Sequence, residues 1–172
     1  ARSLDDYLQE HHDHDLGKTA TVEGDDFEAD YVLSMGGDGT FLQSAVRVGE
    51  KQIPLVGINM GRLGFLADVL PDEVEEALDA VLKGNYNIEE HTAIRITTEG
   101  GDFEGCHYAL NDIAVLKRDV ASMISIRTHV DGSCIDNIQD EGLILTTTTG
   151  TTAYTLSKGV PIIEPQTRTL CL

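Results

Sequence analysis

The chain has 172 residues, 41% of them hydrophobic, enough for one large core or two small ones. Twelve basic residues against thirty acidic ones give a net charge of −18, which argues against nucleic acid or an anionic membrane as the main partner. No apolar run approaches the roughly 20 residues that span a bilayer, and no charged-then-apolar leader opens the sequence, so the expected location is the cytoplasm. The three cysteines, Cys106, Cys134 and Cys171, are odd in number and lack CxxC spacing, so neither a disulfide framework nor a thiolate zinc site follows. The carboxylates are spread along the whole chain rather than gathered in a tail, and lysine is scarce beside them. That balance suits a protein adapted to high salt, where screening removes the self-repulsion that −18 causes in dilute buffer.

Residues 1–16 read as an acidic helix with a thin apolar face of Leu4, Leu8 and Leu16, ended by Gly17. Within it, His11-His12-Asp13-His14-Asp15 could hold a metal, but no second cluster completes the set and a solvated helix end is the preferred reading. A polar loop with a short strand around Thr19–Val22 follows. Asp30–Ser34 then reads as a buried strand and Phe41–Val48 as a helix, with Met35-Gly36-Gly37-Asp38-Gly39-Thr40 at the turn between them. Glycines there allow a ligand to approach the bare backbone, and a helix start presents unpaired N–H groups to an anion. Asp38 would repel phosphate, so it needs another role, such as taking a proton from a hydroxyl or holding a metal ion. A plain glycine-rich strand-to-helix turn is the bland alternative; three glycines around one acid, with Thr40 to cap or donate, favour function.

Gln52–Asn59 reads as a second strand, completing a βαβ unit and therefore a parallel, right-handed crossover. It runs into Asn59-Met60-Gly61-Arg62-Leu63-Gly64-Phe65-Leu66, a second glycine loop at the same sheet edge, where open parallel sheets bind ligands. Pro71-Asp72 opens a helix to Lys83 with Val74, Ala77, Leu78, Val81 and Leu82 on one face. After Gly84-Asn85 the pattern changes to short β runs: Ala93–Thr98, Phe103–Leu110, Ile113–Val115, Ser122–Thr128, Cys134–Ile138 and Leu143–Thr147. A boundary near residue 86 therefore separates an α/β domain, residues 1–86, from a β-rich domain, residues 87–172. Asn111-Asp112 interrupts one β stretch and could serve as a tight turn, or offer an amide and a carboxylate to a base and a sugar hydroxyl. Thr146–Tyr154, rich in threonine, reads as an exposed strand leading into a turn, or as hydroxyls that grip a nucleotide.

Together these segments resemble the NAD kinase family. That family carries GGDGT after a strand, N-x-G-x-L-G-F-L, an Asn-Glu pair, and D-G-hydrophobic followed by T-P-T-G-S-T-A-Y. Here they are Gly36–Thr40, Asn59–Leu66, Asn111-Asp112, and Glu141-Gly142-Leu143 with Thr146–Tyr154. GGDGT alone is shared with lipid kinases; the second and fourth segments are more selective. The resemblance implies an α/β N-terminal domain with a parallel, Rossmann- or flavodoxin-like sheet, followed by a mostly antiparallel β domain. It implies phosphorylation of the 2′-hydroxyl of the adenosine ribose of NAD to give NADP, with ATP or polyphosphate as donor and Mg²⁺ or another divalent cation. Asp38 matches the acid that activates the hydroxyl, and Gly36, Gly37, Gly39 and Thr40 match the phosphate turn. Asn111 and Asp112 match the pair on adenine and ribose; Phe65, Thr152, Ala153, Tyr154 and Ser157 match the NAD pocket, and Glu141 an aspartate near the nicotinamide. Arg62 is a candidate phosphate contact, with a solvent-facing arginine as the alternative. The family is usually a homo-oligomer, dimer or tetramer.

Departures from the family pattern are Asp112 for glutamate, Glu141 for aspartate, Thr148 for proline and Thr151 for serine. The family also begins with a strand before the first helix and continues past the segment matching Pro161-Ile162-Ile163, while residues 164–172 match no motif. A fragment or a shifted reading frame is therefore expected, and the activity of this chain alone depends on those parts. The competing readings are a lipid kinase of the diacylglycerol type, which needs a membrane-facing patch that −18 opposes, and a nucleotide-binding module without catalysis. The charge balance predicts that dialysis into low salt abolishes the folded circular-dichroism signal; a melting temperature indifferent to salt would remove the halophilic reading.

Overall fold

The computed structural model describes residues 20–61, 64–100, 107–119, 121–164 and 166–172. The expected N-terminal helix, its histidine cluster, Gly17, Arg62 and Cys106 lie outside the described residues.

Strand β1 (Val32–Gly36) leads through Gly37 into helix α1 (Asp38–Val48), and β2 (Leu55–Asn59) returns parallel to β1 with Val32 opposite Leu55 and Gly36 opposite Asn59. This is the expected βαβ unit, shifted two residues at β1. The sheet gains a second parallel contact where Val69 pairs with Ile58, through Asn59 N to Val69 O at 2.8 Å and Val69 N to Gly57 O at 3.1 Å. Helix α1 faces the sheet with Phe41 and Val48, seven residues apart and both buried. Each such side chain contributes about 1.5–3 kcal/mol by leaving water. Gly57 makes that packing possible, because a Cβ there would sit 2.8 Å from Ala67 Cα and 2.9 Å from the Phe41 ring.

Helix α2 (Val74–Leu82) begins after a turn at residues 71–73, slightly later than the Pro71-Asp72 signal suggests. Val74, Ala77, Leu78 and Val81 are half-buried as expected, but Leu82 is 83% exposed, at the last residue of the helix. Ala20–Val22 form no strand, which corrects that part of the Thr19–Val22 expectation.

Beyond residue 86 the structure is β-rich. Short strands β3 (Ile94–Arg95) and β4 (Tyr108–Ala109) pair antiparallel. Strand β5 (Asp112–Leu116) pairs with β8 (Gly142–Thr147), and β8 with β9 (Leu170–Cys171), in an antiparallel sheet ordered β5-β8-β9. Strands β6 (Ile124–Val130) and β7 (Ser133–Asp140) form a hairpin around Asp131-Gly132, both at positive φ, with a register shift at Thr128/His129. The β5–β8 register places Asp112 opposite Thr146, so Asp112 starts a strand rather than sitting in a tight turn. Likewise the threonine run is not an exposed strand. Thr146 and Thr147 end β8, the chain then turns through 3-10 geometry at Thr149–Thr152, and Thr146, Thr147, Thr148 and Thr151 are all buried.

One side chain links the two halves. Glu50, just past α1, accepts hydrogen bonds on Oε1 from Arg95 Nη1 at 2.8 Å and from Tyr108 Oη at 2.7 Å. The Tyr108 ring lies over Gly49, which has φ of +53°. A substitution at Gly57 tests the packing of the first half. Alanine at a strand glycine normally stabilises by about 0.5–1 kcal/mol, but overpacking against Ala67 backbone costs about 1–3 kcal/mol. Gly57→Ala is therefore expected to lower the urea midpoint at unchanged slope.

Candidate functional site

Both glycine loops leave the carboxyl ends of adjacent parallel strands, and Met60 N donates to Gly36 O at 3.0 Å to hold the two exits together. Gly37 caps α1 in extended geometry without a side-chain hydrogen bond; Thr40 N and Phe41 N turn back to Gly37 O at 3.0 and 3.1 Å, and among the described residues no side chain caps the N–H groups of the first turn. Asp38 occupies the first helical position, where a negative charge is favoured by the helix dipole.

Asp38 does not point into empty solvent. Its Oδ2 accepts from Phe65 N at 2.8 Å, and its Oδ1 accepts from Leu66 N at 3.0 Å and Ala67 N at 3.2 Å. The carboxylate of the first loop is therefore seated on the backbone of the second. Burial raises its pKa, but the amides of Phe65, Leu66 and Ala67 lower it by more, so it stays below the ordinary carboxylate value. An ionised carboxylate offers about four lone-pair sites; among the described residues three are taken, two on Oδ1 and one on Oδ2. Asn59, fully buried, secures the same loop by donating from Nδ2 to Ala67 O at 3.2 Å and accepting from Gly61 N at 2.9 Å.

The glycines of the two loops separate into two kinds. A Cβ at Gly36 would lie 2.7 Å from Thr40 Cβ, and one at Gly64 would lie 2.7 Å from Asp38 Oδ2. These two are glycine because the protein itself fills the space. At Gly37, Gly39 and Gly61 an added Cβ would meet nothing within 4 Å. Among the described residues nothing fills that space, so the backbone there is open to close approach from outside. Thr40 is exposed and its hydroxyl does not cap α1; its carbonyl accepts from Ser44 Oγ. Phe65 presents its ring to solvent at 80% exposure, beside the Asp38 carboxylate.

The second group is built on Asn111 and the threonine turn. Thr147 Oγ1 donates to Leu110 O at 2.6 Å, with Asn111 O at 3.1 Å, and accepts from Gly150 N at 3.1 Å. Thr146 Oγ1 donates to Asn111 O at 3.2 Å, and Thr147 N donates to the same oxygen at 2.8 Å. Thr151 Oγ1 bonds Thr148 O, and Thr155 Oγ1 bonds Gly150 O. Gly150 must be glycine, since a Cβ would lie 2.6 Å from the Asn111 carbonyl carbon. The hydroxyls that sequence reasoning offered to a ligand are thus spent inside, fixing the main chain of Asn111. Asn111 Oδ1 is buried and finds no donor among the described residues. Burial raises the pKa of the neighbouring Asp112. Thr152 and Ala153 are half-buried, Tyr154 is 47% exposed, and exposed Ser157 donates to Tyr154 O at 2.7 Å.

Glu141 stands at the other end of β8, exposed, and pairs with Lys117 Nζ at 2.6 Å. Six residues of strand, about 20 Å, separate it from the threonine turn. The anchors of Asp38 and those of Asn111 share no residue, so each group is held independently. One member escapes sequence reasoning altogether: His91 Nδ1 lies 3.0 Å from Thr149 Oγ1, with Nε2 3.6 Å from Glu89. Its surroundings, Glu89-Glu90-His91-Thr92, carry no spacing signal, and only the fold brings residue 91 to residue 149.

Known proteins share this architecture. The family model described as ATP-NAD kinase N-terminal domain matches residues 4–86, and that described as ATP-NAD kinase C-terminal domain matches residues 110–172. The second match reaches Leu172, so residues 164–172, which match no motif by inspection, lie within the family pattern; β9 is formed from them. The NAD kinase of Bacteroides fragilis is 51% identical over 146 residues, covering 85% of this chain and 50% of that protein. The NAD kinase of Geotalea daltonii is 38% identical over 170 residues, covering 96% and 60%. A yeast NADH kinase solved with NADH superposes with a TM-score of 0.74 at 25% identity, covering 83% of this chain and 43% of that one. An Archaeoglobus fulgidus NAD kinase solved with ATP gives 0.62 at 33% identity, covering 80% and 53%. The chain spans about half the length of the curated relatives it matches. With both halves matched in order and the glycine loops meeting at Asp38, the chain belongs to the NAD kinase family.

Proposed function

We propose that the protein transfers the terminal phosphoryl group of ATP, or of polyphosphate, to the 2′-hydroxyl of the adenosine ribose of NAD, giving NADP. The observation that carries this reading is the Asp38 carboxylate, ionised, held by three amides and, among the described residues, keeping one acceptor site on Oδ2 beside open backbone. A ribose hydroxyl that donates to that site is oriented toward the incoming phosphorus. Phosphoryl transfer passes through a loose transition state, so the acceptor needs orientation more than early deprotonation. A carboxylate of lowered pKa suits that role, being a modest base and a well-fixed acceptor.

The rest of the site supports the same reading. Gly37 and Gly39, open at the N-terminus of α1, suit phosphate oxygens. Asn111, with a carbonyl oxygen lacking a donor, suits the exocyclic amine of adenine, and Asp112 a ribose hydroxyl. Phe65, Thr152, Ala153 and Tyr154, with Ser157 beside them, supply surface for the dinucleotide; Glu141, at the far end of β8, is assigned to the nicotinamide end by the family resemblance alone. The relatives solved with NADH and with ATP bind the same two classes of molecule. Asp38 spends three of its four lone-pair sites on amides, and the described residues contain no cluster of three or more metal-ligating side chains. With −18 on the protein, the triphosphate needs a divalent cation to neutralise it, and magnesium is assigned to the donor's phosphate oxygens as a substrate complex. A division near residue 86, a homo-oligomeric state, a cytoplasmic location and high-salt adaptation complete the reading. Among the described residues no helix is long and apolar enough to cross a membrane.

Incubation with ATP, Mg²⁺ and NAD at high salt is expected to yield NADP, and Asp38→Asn to lower kcat by roughly 10²–10⁴-fold. A folded protein without NADP formation removes the kinase reading; a fully active Asp38→Asn removes the assigned role. Stability carries a second signature. Because the folded pKa of Asp38 is lowered, its contribution is present above the unfolded carboxylate value of about 3.9 and is lost as pH falls through the folded value. The urea-midpoint gap between wild type and Asp38→Asn is therefore expected to be widest near neutral pH and to close in acid.

A further inference from the structure

Gly64 occupies the point where the two glycine loops touch. An added Cβ would lie 2.5 Å from Asp38 Cγ and 2.7 Å from its Oδ2, distances that real Cβ atoms do not reach. Gly61, three residues earlier in the same loop, has open space at the corresponding position. The residue after Gly64 donates the shortest of the three amide bonds to Asp38, and its aromatic ring stands 80% exposed. Room at Gly64, the carboxylate orientation and the seat of the Phe65 ring are therefore one mechanical unit.

We propose that Gly64 is a positioning residue for phosphoryl transfer: by leaving space for Asp38, it lets the amides of Phe65, Leu66 and Ala67 aim the carboxylate's remaining acceptor site and fix the Phe65 ring on the same frame. This rests on the NAD kinase reading above. The unit has no give, because the carboxylate is tethered to a helix start and the loop is tethered through Asn59. A methyl group at residue 64 must push one of them aside, and the three amide bonds cannot all survive the displacement. A misplacement of about 1 Å in a reacting group costs on the order of 10²-fold in rate.

Gly64→Ala is expected to lower kcat by about 10²-fold and to raise KM for NAD, while the acid limb of the kcat–pH profile moves to higher pH as Asp38 loses its amides. A wild-type kcat in the variant overturns the proposal. Carboxyl carbon-13 NMR of Asp38 tests the unit without any assay: its titration midpoint is expected to rise in Gly64→Ala, and an unchanged midpoint overturns the proposal. That readout stands whether or not NADP forms, whereas absence of NADP from folded wild-type protein removes the kinase reading alone. The Asp38→Asn/Gly64→Ala double variant is expected to be no slower than the slower single variant; losses that multiply overturn the proposal. Should Gly64→Ala fail to fold, Asp38→Ala in the same chain removes the clash and is expected to restore the folded signal, and failure of that rescue also overturns it.

Discussion

A single carboxylate that accepts three backbone N–H groups is the contact on which the front of this molecule depends. Asp38 leaves the first glycine loop and Phe65, Leu66 and Ala67 come from the second, so the bonds join two strand exits that share no sequence neighbourhood. Hydrogen bonds to an ionised acceptor are stronger than neutral ones, and the start of helix α1 adds its dipole to the same charge. Everything needed around a reacting hydroxyl then follows from one geometry. The acid is ionised, oriented and only partly satisfied, and an aromatic ring and open backbone lie within the same two loops.

The second half reaches the same rigidity by a different route. Its most deeply buried side chains are threonines rather than large aliphatics, and their hydroxyls bond the main chain at Leu110, Asn111, Thr148 and Gly150. Such a polar interior is sound only when its members are satisfied. The threonine hydroxyls meet that condition and fix the carbonyl of Asn111, whereas its buried side-chain oxygen has no donor among the described residues. Glu50 couples this half to the far end of the helix that starts with Asp38, through Arg95 and Tyr108.

Much of this was legible in the residues. Alternating strand and helix patterns located β1, α1 and β2 because hydrophobic periodicity follows burial directly, and the first and last residues of the expected helix, Phe41 and Val48, are the buried ones. The change to short β runs after residue 84 was equally plain. The burial of the threonine run is not legible in sequence, since β-propensity reports a preference for strand and says nothing of whether a hydroxyl faces water, a ligand or a carbonyl. Asp112 was open between turn and strand until register placed it opposite Thr146. His91 was invisible, because its partner is fifty-eight residues away and no spacing rule connects them.

By itself the sequence determined the motifs, their order and the acid at the centre, for these are properties of residue type and spacing along a chain. Only the tertiary structure decided what each glycine is for. Gly36 and Gly64 are filled by Thr40 and Asp38, while Gly37, Gly39 and Gly61 stand open. It also decided that three backbone amides of the second loop take up the acid's acceptors. The physical reason is the same in both cases. A glycine signals only that a side chain is absent, and a carboxylate only that acceptors are present; what enters the space, and what donates to the acceptors, is fixed by segments that meet after folding.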